Sequence, residues 1–263
     1  GTFKGFYWGP MFRYERPQTG RRRQFSQAGI EYLGEASPDA DVEVIEFGYR
    51  SLENLGVNDV EVQLNSIGDG TDRSDYRDEL IAFLEARKDA LSEDAVRRIH
   101  QNPLRVLDSK ADAEVVAGAP TPVDHLSDDA AEHFAAVRAG LDAAGIPYRI
   151  NPTLVRGLDY YNRTVWEYVP LGFEAAQSSV GGGGRYDALF EMIGGRPTPS
   201  VGLAMGLDRI LLARDRAATA PALDAFVIIA DPERSADARA LVRTLRTRGF
   251  RTDAVAGDRS VKA

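Results

Sequence analysis

Gly9–Gly34, GPMFRYERPQTGRRRQFSQAGIEYLG, decides how the chain is read. It consists of two alternating stretches around the turn-rich Pro17-Gln18-Thr19-Gly20, the pattern of an antiparallel hairpin with a long tip. Residues two apart in a strand share a face. Arg13 and Glu15 therefore point one way, and Phe12 and Tyr14 the other. On the return strand Arg23, Phe25, Gln27, Gly29 and Glu31 share a face. If the two polar faces coincide, they form a wall of guanidinium, aromatic ring, amide, bare backbone and carboxylate. Such a wall suits a polyanion with a flat base at one end and an ammonium group at the other. Five arginines lie between positions 13 and 23 of a chain whose formal net charge is −8. Like charges this close repel unless an anion offsets them, so an anionic ligand is favoured over a merely solvated hairpin.

The totals narrow the classes. With 263 residues, 43% of them hydrophobic, the chain can bury a core and expects more than one domain. Its 40 acidic against 32 basic side chains confine any nucleic-acid contact to a local surface. No cysteine is present, which removes disulfide and thiolate chemistry. No apolar run approaches the ~20 residues of a membrane span, and no signal peptide is recognised, so the expectation is a soluble, cytoplasmic protein. The three histidines, His100, His125 and His133, fall in stretches that read as polar helix or loop. A metal site or a Ser-His-Asp triad is therefore not expected. GTFKGFYWG runs straight into a strand, so the reading expects the domain to begin upstream of Gly1.

After the hairpin, Ser37-Pro38-Asp39 reads as a helix start, with Val42, Ile45, Phe47, Tyr49, Leu52 and Leu55 as apolar positions and Gly56 as the stop. Val60–Asn65 alternates as a strand closed by Gly68. Residues from about 72 to 148 turn charged and alanine-rich, with Leu80, Phe83, Leu84 and Leu91 at helical spacing. A second helix follows a capping Ser127, with Ala130, Phe134, Val137 and Leu141 as its stripe. Between these helices Asn102–Lys110 suggests packing. Strand character returns at Tyr148 and in RTVWEYV, where Thr164, Trp166 and Tyr168 alternate with Val165, Glu167 and Val169. The final stretch, Asp224–Ala230, a helix through Leu245, then Phe250–Val255, reads as the β-α-β opening of an α/β domain.

Three further stretches carry chemistry. In VGLAMGLDRILL (Val201–Leu212), Gly202, Ala204 and Gly206 share a strand face and are all small. Arg209 follows in the first turn of a helix, where the macrodipole disfavours a cation; a binding role and a surface ion pair stand at even odds. In Arg156-Gly-Leu-Asp-Tyr-Tyr161 a guanidinium fork suited to phosphate precedes paired tyrosines, against the alternative of a β-edge with core tyrosines. Gly181–Gly184 has neither Walker nor dinucleotide spacing; four glycines in a strand suggest close approach to the backbone, with a flexible loop as the alternative.

Together these stretches resemble histidyl-tRNA synthetase, a class II aminoacyl-tRNA synthetase. FRYERPQTGRRRQF is similar to class II motif 2, GLAMGLDRILL to motif 3, LVRGLDYYNRTVWE and GGGGRYD to the two histidine signatures, and NPLRVLDSK to the bacterial-type insertion. The resemblance implies an α+β fold: an antiparallel sheet flanked by helices, a helical insertion, and the start of an α/β anticodon-binding domain. The implied parts are residues 1–72 and 149–220 for the catalytic core, 73–148 for the insertion and 221–263 for the anticodon-binding portion. It implies activation of L-histidine by ATP and transfer to tRNA(His), with Mg2+ riding on the ATP phosphates, in a cytoplasmic homodimer without membrane contact. Class II motif 1, which builds the dimer interface, and the loop whose Thr and Glu complete the amino-acid pocket would lie upstream of Gly1.

By motif position, Arg13 and Arg156 contact the α-phosphate and are the catalytic pair. Glu15 faces the adenine amino group, Phe25 and Arg209 sandwich the adenine, and Arg209 reaches the γ-phosphate with Arg21. Gln27 and Glu31 take the α-ammonium; Tyr161 and Tyr186 line the imidazole pocket. Arg22 and Ser26 depart from the aromatic or histidine side chains more usual there, and parity points both away from the site. Two rivals are non-catalytic: the regulatory subunit of ATP phosphoribosyltransferase, which loses the RGLDYY arginine and the anticodon domain, and a sensor domain for uncharged tRNA, which loses Arg13 or Glu31.

Overall fold

The computed structural model describes residues 1–14, 22–107, 109, 111–154, 160–172, 179–214, 222–229 and 231–254. The chain divides into two compact units, Gly1–Asp215 and Arg216–Ala263. The first is built on a seven-stranded sheet among the described residues, in the order β1-β2-β7-β6-β5-β3-β4. Its strands are β1 (Phe3–Phe12), β2 (Gln24–Leu33), β3 (Val60–Ser66), β4 (Tyr148–Ile150), β5 (Asn162–Pro170), β6 (Gly181–Arg185) and β7 (Ser200–Gly206). Every pairing is antiparallel except β3 with β4. The hairpin read from the sequence is β1–β2, in register from Phe3 opposite Leu33 to Phe12 opposite Gln24.

Two long helices share a core with one face of this sheet. Helix α1 (Pro38–Asn54) begins as expected: Ser37 Oγ accepts from the Asp39 N–H at 3.2 Å, with Pro38 in the first turn. It buries Ala40, Val44, Ile45, Gly48, Tyr49 and Leu52. Phe47 and Leu55, expected to point inward, are exposed, Phe47 because it falls off the stripe those positions define and Leu55 because it follows the last residue of the helix, as its C-cap. Trp166 and Tyr168 of β5 and Leu203 of β7 join this core. The Tyr168 hydroxyl donates to the Ile45 carbonyl at 2.8 Å, tying sheet to helix.

Between β3 and β4 run α2 (Gly70–Glu85), α3 (Glu93–Arg98), α4 (Leu104–Leu107), α5 (Ala113–Val116) and α6 (Asp128–Ala144). Helix α6 buries Ala130, Phe134, Val137 and Leu141 as its spacing predicts, and a left-handed Gly145 stops it. Two expectations need correction. Ser127 does not cap α6 with its side chain; its Oγ donates to Asp72 Oδ2 at 3.0 Å, joining the start of α6 to the start of α2. His133 is not on a polar surface but buried on the inner face of α6. Tyr76, Leu80 and Leu84 of α2 form a separate core with Ile99, Val106 and Leu107, which gives Asn102–Lys110 the packing role expected of it; Asp108 and Lys110 lie outside the described residues. A short α7 (Leu189–Met192) and α8 (Leu207–Ala213) complete the unit. In the second unit, β8 (Ala225–Val227) pairs in parallel with β9 (Thr252–Ala254) across α9 (Ser235–Thr247), the β-α-β arrangement its texture suggested.

Gly48 shows how closely the layers meet. A Cβ there would strike the Tyr168 hydroxyl and lie 2.8 Å from Leu203 Cδ2. Alanine would gain about 1 kcal/mol of helix propensity, but overpacking against a fixed ring costs about 1–3 kcal/mol. Gly48→Ala is therefore expected to lower the urea midpoint, and an increase would mean the layers can part.

Candidate active site

The opposite face of the sheet is lined by small residues. Gln27, Gly29 and Glu31 of β2 stand opposite Gly206, Ala204 and Gly202 of β7. Gly202 and Ala204 in turn oppose Gly184 and Gly182 of β6. Leu203 and Trp166, one residue out of phase, are buried on the helix side, so this floor faces away from α1. Side chains lying flat on it require the glycines. A Cβ on Gly202 would occupy the place of the Glu31 carboxylate, one on Gly29 would meet the Tyr7 ring, and one on Gly184 would sit 2.6 Å from Tyr161 Cδ1. Gly183 has the opposite duty, clearing the buried Trp166 ring, with Cζ2 at 2.6 Å from its own hypothetical Cβ. The glycine run is thus strand, and protein side chains make the close approach.

Glu31 adjoins a cluster of three tyrosines, Tyr160, Tyr161 and Tyr186, through the last of them. The Tyr186 hydroxyl donates to Glu31 Oε2. The Tyr161 and Tyr186 rings lie 6.4 Å apart, edge to face, and Tyr160 packs 4.7 Å from Tyr161. Tyr161 and Tyr186 are buried. Burial pushes the Glu31 carboxyl above the ordinary carboxylate value, partly offset by the Tyr186 hydrogen bond. Burial and then Glu31 raise Tyr186 well above the usual phenol, and burial with the Glu31 charge raises Tyr7. The result is a recessed, aromatic-walled carboxylate suited to a ligand N–H.

The hairpin supplies the other end. The ladder continues past the strand ends, with the Arg13 N–H donating to the Arg23 carbonyl at 2.9 Å. Arg13 Nε donates to the Arg22 carbonyl at 2.8 Å, and its guanidinium lies 4.3 Å from the centre of the Phe25 ring. The predicted coincidence of the two polar faces is therefore realised at Arg13, Phe25, Gln27 and Glu31. Arg209, in the first turn of α8, donates through Nη1 to the Ser179 carbonyl at 2.9 Å. Its neighbour Asp208 accepts from the Ser26 N–H at 2.9 Å, so α8 holds β2 in place. Glu15, Arg21 and Arg156 lie outside the described residues.

Sequence reasoning did not single out Tyr7, Asp208 or the polar side chains beneath the tyrosines. Arg185 is fully buried and bonded to an equally buried Asp41. Its remaining donors reach Asp187 Oδ1 at 3.1 Å and the Glu35 and Ser37 carbonyls at 3.0 and 3.1 Å, so all five N–H groups are satisfied. A charge at the buried helical position 41, in step with Ile45 and Tyr49, was the available signal.

The sequence model of the family described as Histidyl-tRNA synthetase matches residues 2–210. Over its whole length the chain is 47% identical to the Histidine--tRNA ligase of Synechocystis sp., and it covers 59% of that protein. The solved structure of apo S. aureus histidyl-tRNA synthetase superposes with a TM-score of 0.74 at 32% identity, over 98% of this chain and 64% of that one. A Bacillus halodurans structure described as an ATP phosphoribosyltransferase regulatory subunit/histidyl-tRNA synthetase gives a TM-score of 0.64 at 20% identity, over 98% of this chain and 70% of that one, a likeness of fold alone. By its match to the family model and its identity to these relatives, the chain belongs to the histidyl-tRNA synthetase family.

Proposed function

We propose that the protein activates L-histidine with ATP and transfers the histidyl group to tRNA(His). The observation that carries this reading is the convergence of Glu31, Tyr161 and Tyr186 over a glycine floor, in line with Arg13 and Phe25 on the same face. A recessed carboxylate among phenols recognises a small ligand rich in N–H groups. The arginine-bearing end suits the triphosphate.

In activation, a carboxylate oxygen of histidine attacks the α-phosphorus, the bond to the bridging oxygen breaks, and pyrophosphate leaves. The nucleophile is already ionised at neutral pH, so the step requires positioning and charge stabilisation rather than a protein base. Arg13 and Arg156 neutralise the α-phosphate oxygens, Phe25 and Arg209 hold the adenine, Glu15 its amino group, and Arg21 the γ-phosphate. Gln27 and Glu31 take substrate N–H groups, the α-ammonium by motif position, while Tyr161 and Tyr186 enclose the imidazole. Among the described residues no group of three or more His, Asp or Glu could hold a metal ion; Mg2+ enters as the ATP complex and no step is assigned to it.

Residues 73–148 are read as the insertion and residues 221–263 as the beginning of an anticodon-binding domain. Cytoplasmic location and a homodimer complete the proposal; among the described residues no helix is long and apolar enough to cross a membrane.

Full-length protein is expected to support histidine-dependent exchange between ATP and pyrophosphate. Exchange with no amino acid would overturn the proposal in favour of the regulatory subunit. Arg156→Ala should lower the exchange rate by about 10²–10³-fold, the loss typical of one preorganised donor. Glu31→Gln should raise the KM for histidine by about 10–100-fold, the worth of a charge-assisted hydrogen bond. The same variant tests the electrostatics. Because folding raises the Glu31 pKa, the native state holds the proton more tightly, and wild-type stability falls as pH climbs from the ordinary carboxylate range through the raised value. Denaturation midpoints should thus show Glu31→Gln gaining on wild type as pH rises through that window; a difference independent of pH would contradict the burial assigned to this carboxylate.

A further inference from the structure

The helical block leaves the sheet after β3 and returns before β4, and both of its roots are wired to the pocket tyrosines. At the first root, Asp69 precedes α2 and binds Arg163 through both carboxylate oxygens, with Nε at 3.1 Å from Oδ1 and Nε and Nη2 at 2.9 and 2.8 Å from Oδ2. One turn into α2, Arg73 Nη1 donates to the backbone carbonyl of Tyr161 at 2.8 Å. At the second root, on α6, His133 stands between two ion pairs. Arg163 Nη1 lies 3.3 Å from His133 Nδ1, and His133 Nε2 faces Asp41 Oδ2 at 3.4 Å. A guanidinium only donates, so Nδ1 accepts and the ring proton is assigned to Nε2, towards the Asp41 carboxylate. The Nε2 contact is off the line of a full hydrogen bond and acts as an electrostatic one.

From Asp41 the connection runs through Arg185 to Asp187. Asn162 closes it, donating to both Asp69 Oδ1 and Asp187 Oδ2 at 3.0 and 3.2 Å. Tyr161 immediately precedes Asn162, and Tyr186 sits between Arg185 and Asp187. Arg163 adopts a left-handed φ of 50° at a register shift in β5, a conformation that a side chain fixed by Asp69 and His133 helps to hold. Arg73 fixes the backbone of Tyr161 itself, and His133 joins Arg163, two residues after Tyr161, to Asp41, the partner of the Arg185 that precedes Tyr186.

We propose that Arg73 and His133 are positioning residues for the amino-acid pocket, through which the helical block sets the placement of Tyr161 and Tyr186. This rests on the histidine-activating reading. Removing either side chain lets the tyrosines drift from the geometry that encloses the imidazole, while the ATP end, built on the hairpin and α8, stays as it is.

The test is ATP–pyrophosphate exchange with the full-length protein, varying histidine and ATP separately, alongside thermal midpoints. Arg73→Ala and His133→Leu are expected to raise the KM for histidine by about 10–100-fold, the scale of a displaced contact, with the KM for ATP unchanged. His133→Gln, whose amide can accept from Arg163 and donate to Asp41, should return the histidine KM towards wild type. Midpoints that fall with both KM values unchanged, or KM values for histidine and ATP that rise together, would overturn the inference and leave a purely structural role. If His133→Leu does not fold, Arg73→Ala decides, since it leaves the ion pairs intact: an unchanged histidine KM overturns the inference. Wild-type protein without histidine-dependent exchange would instead defeat the reading on which it rests.

Discussion

One sheet must satisfy two incompatible neighbours, and most of the structure follows from how it does so. Its inner face packs against α1 with no space to spare, as the burial of Trp166, Tyr168 and Leu203 shows. Its outer face must let a carboxylate and aromatic rings lie flat against the backbone. Strand β7 meets both demands by strict alternation: Val201, Leu203 and Met205 are buried, while Gly202, Ala204 and Gly206 face the site. Strand β6 cannot alternate, because Gly183 must clear Trp166 below while Gly184 must clear Tyr161 above. Two glycines in succession are the consequence, and Gly181 before them leaves room for Met205. Strand propensity is sacrificed there, and pairing on both edges with β5 and β7 compensates.

Such a strand cannot locate its own ends by packing, and the buried charges beneath it take over that task. Burial alone would push the Asp41 carboxyl up, but His133 and Arg185 together hold it below the ordinary value. The same balance, with Arg163 and Asn162 as partners, lowers Asp69. Carboxylates depressed in the native state contribute stability above their unfolded pKa and lose it as pH falls through the native one. An apolar substitute could match that stability, since buried ion pairs often add little net energy. It could not match the directionality. Arg185 reaches α1, the connection that leads into it at Glu35, and the residue after Tyr186 with one rigid fork, and so fixes the orientation of the loop that carries the tyrosine.

Much of this was legible in the sequence because it is local. Period-two parity put Phe25, Gln27 and Glu31 on one face of β2 and Arg13 on one face of its partner strand, leaving open whether the two coincide, and helical spacing found the buried stripe of α6. The same spacing failed at Phe47, which sits off the packed stripe, and at Leu55, which is in phase with it but lies past the end of the helix. The polar circuit was hidden for a different reason. Asp41 and Arg185 are separated by 144 residues, and His133 lies in a helix whose neighbouring residues read as surface. A buried polar side chain declares itself only through its partner, and no period connects the two. Tyr7 was missed similarly: parity separates it from Phe6 and Trp8, but only the register opposite Gly29 shows that its ring covers that glycine.

The two ends of the site consequently rest on different physics. On the proposed reading the hairpin end works by charge: Arg13 and Arg23 offer guanidinium groups to an anion, and a small displacement costs little because Coulomb attraction falls slowly with distance. The tyrosine end works by shape and desolvation. Glu31 is held raised in pKa among phenols, and its value to a ligand depends on ångström-scale placement of Tyr161 and Tyr186. Discrimination between ligands must therefore be concentrated where the structure is most rigidly buttressed, and the buried circuit lies under that end of the sheet. The glycine floor makes room for the pocket, the tyrosines give it walls, and the charges below keep those walls from moving.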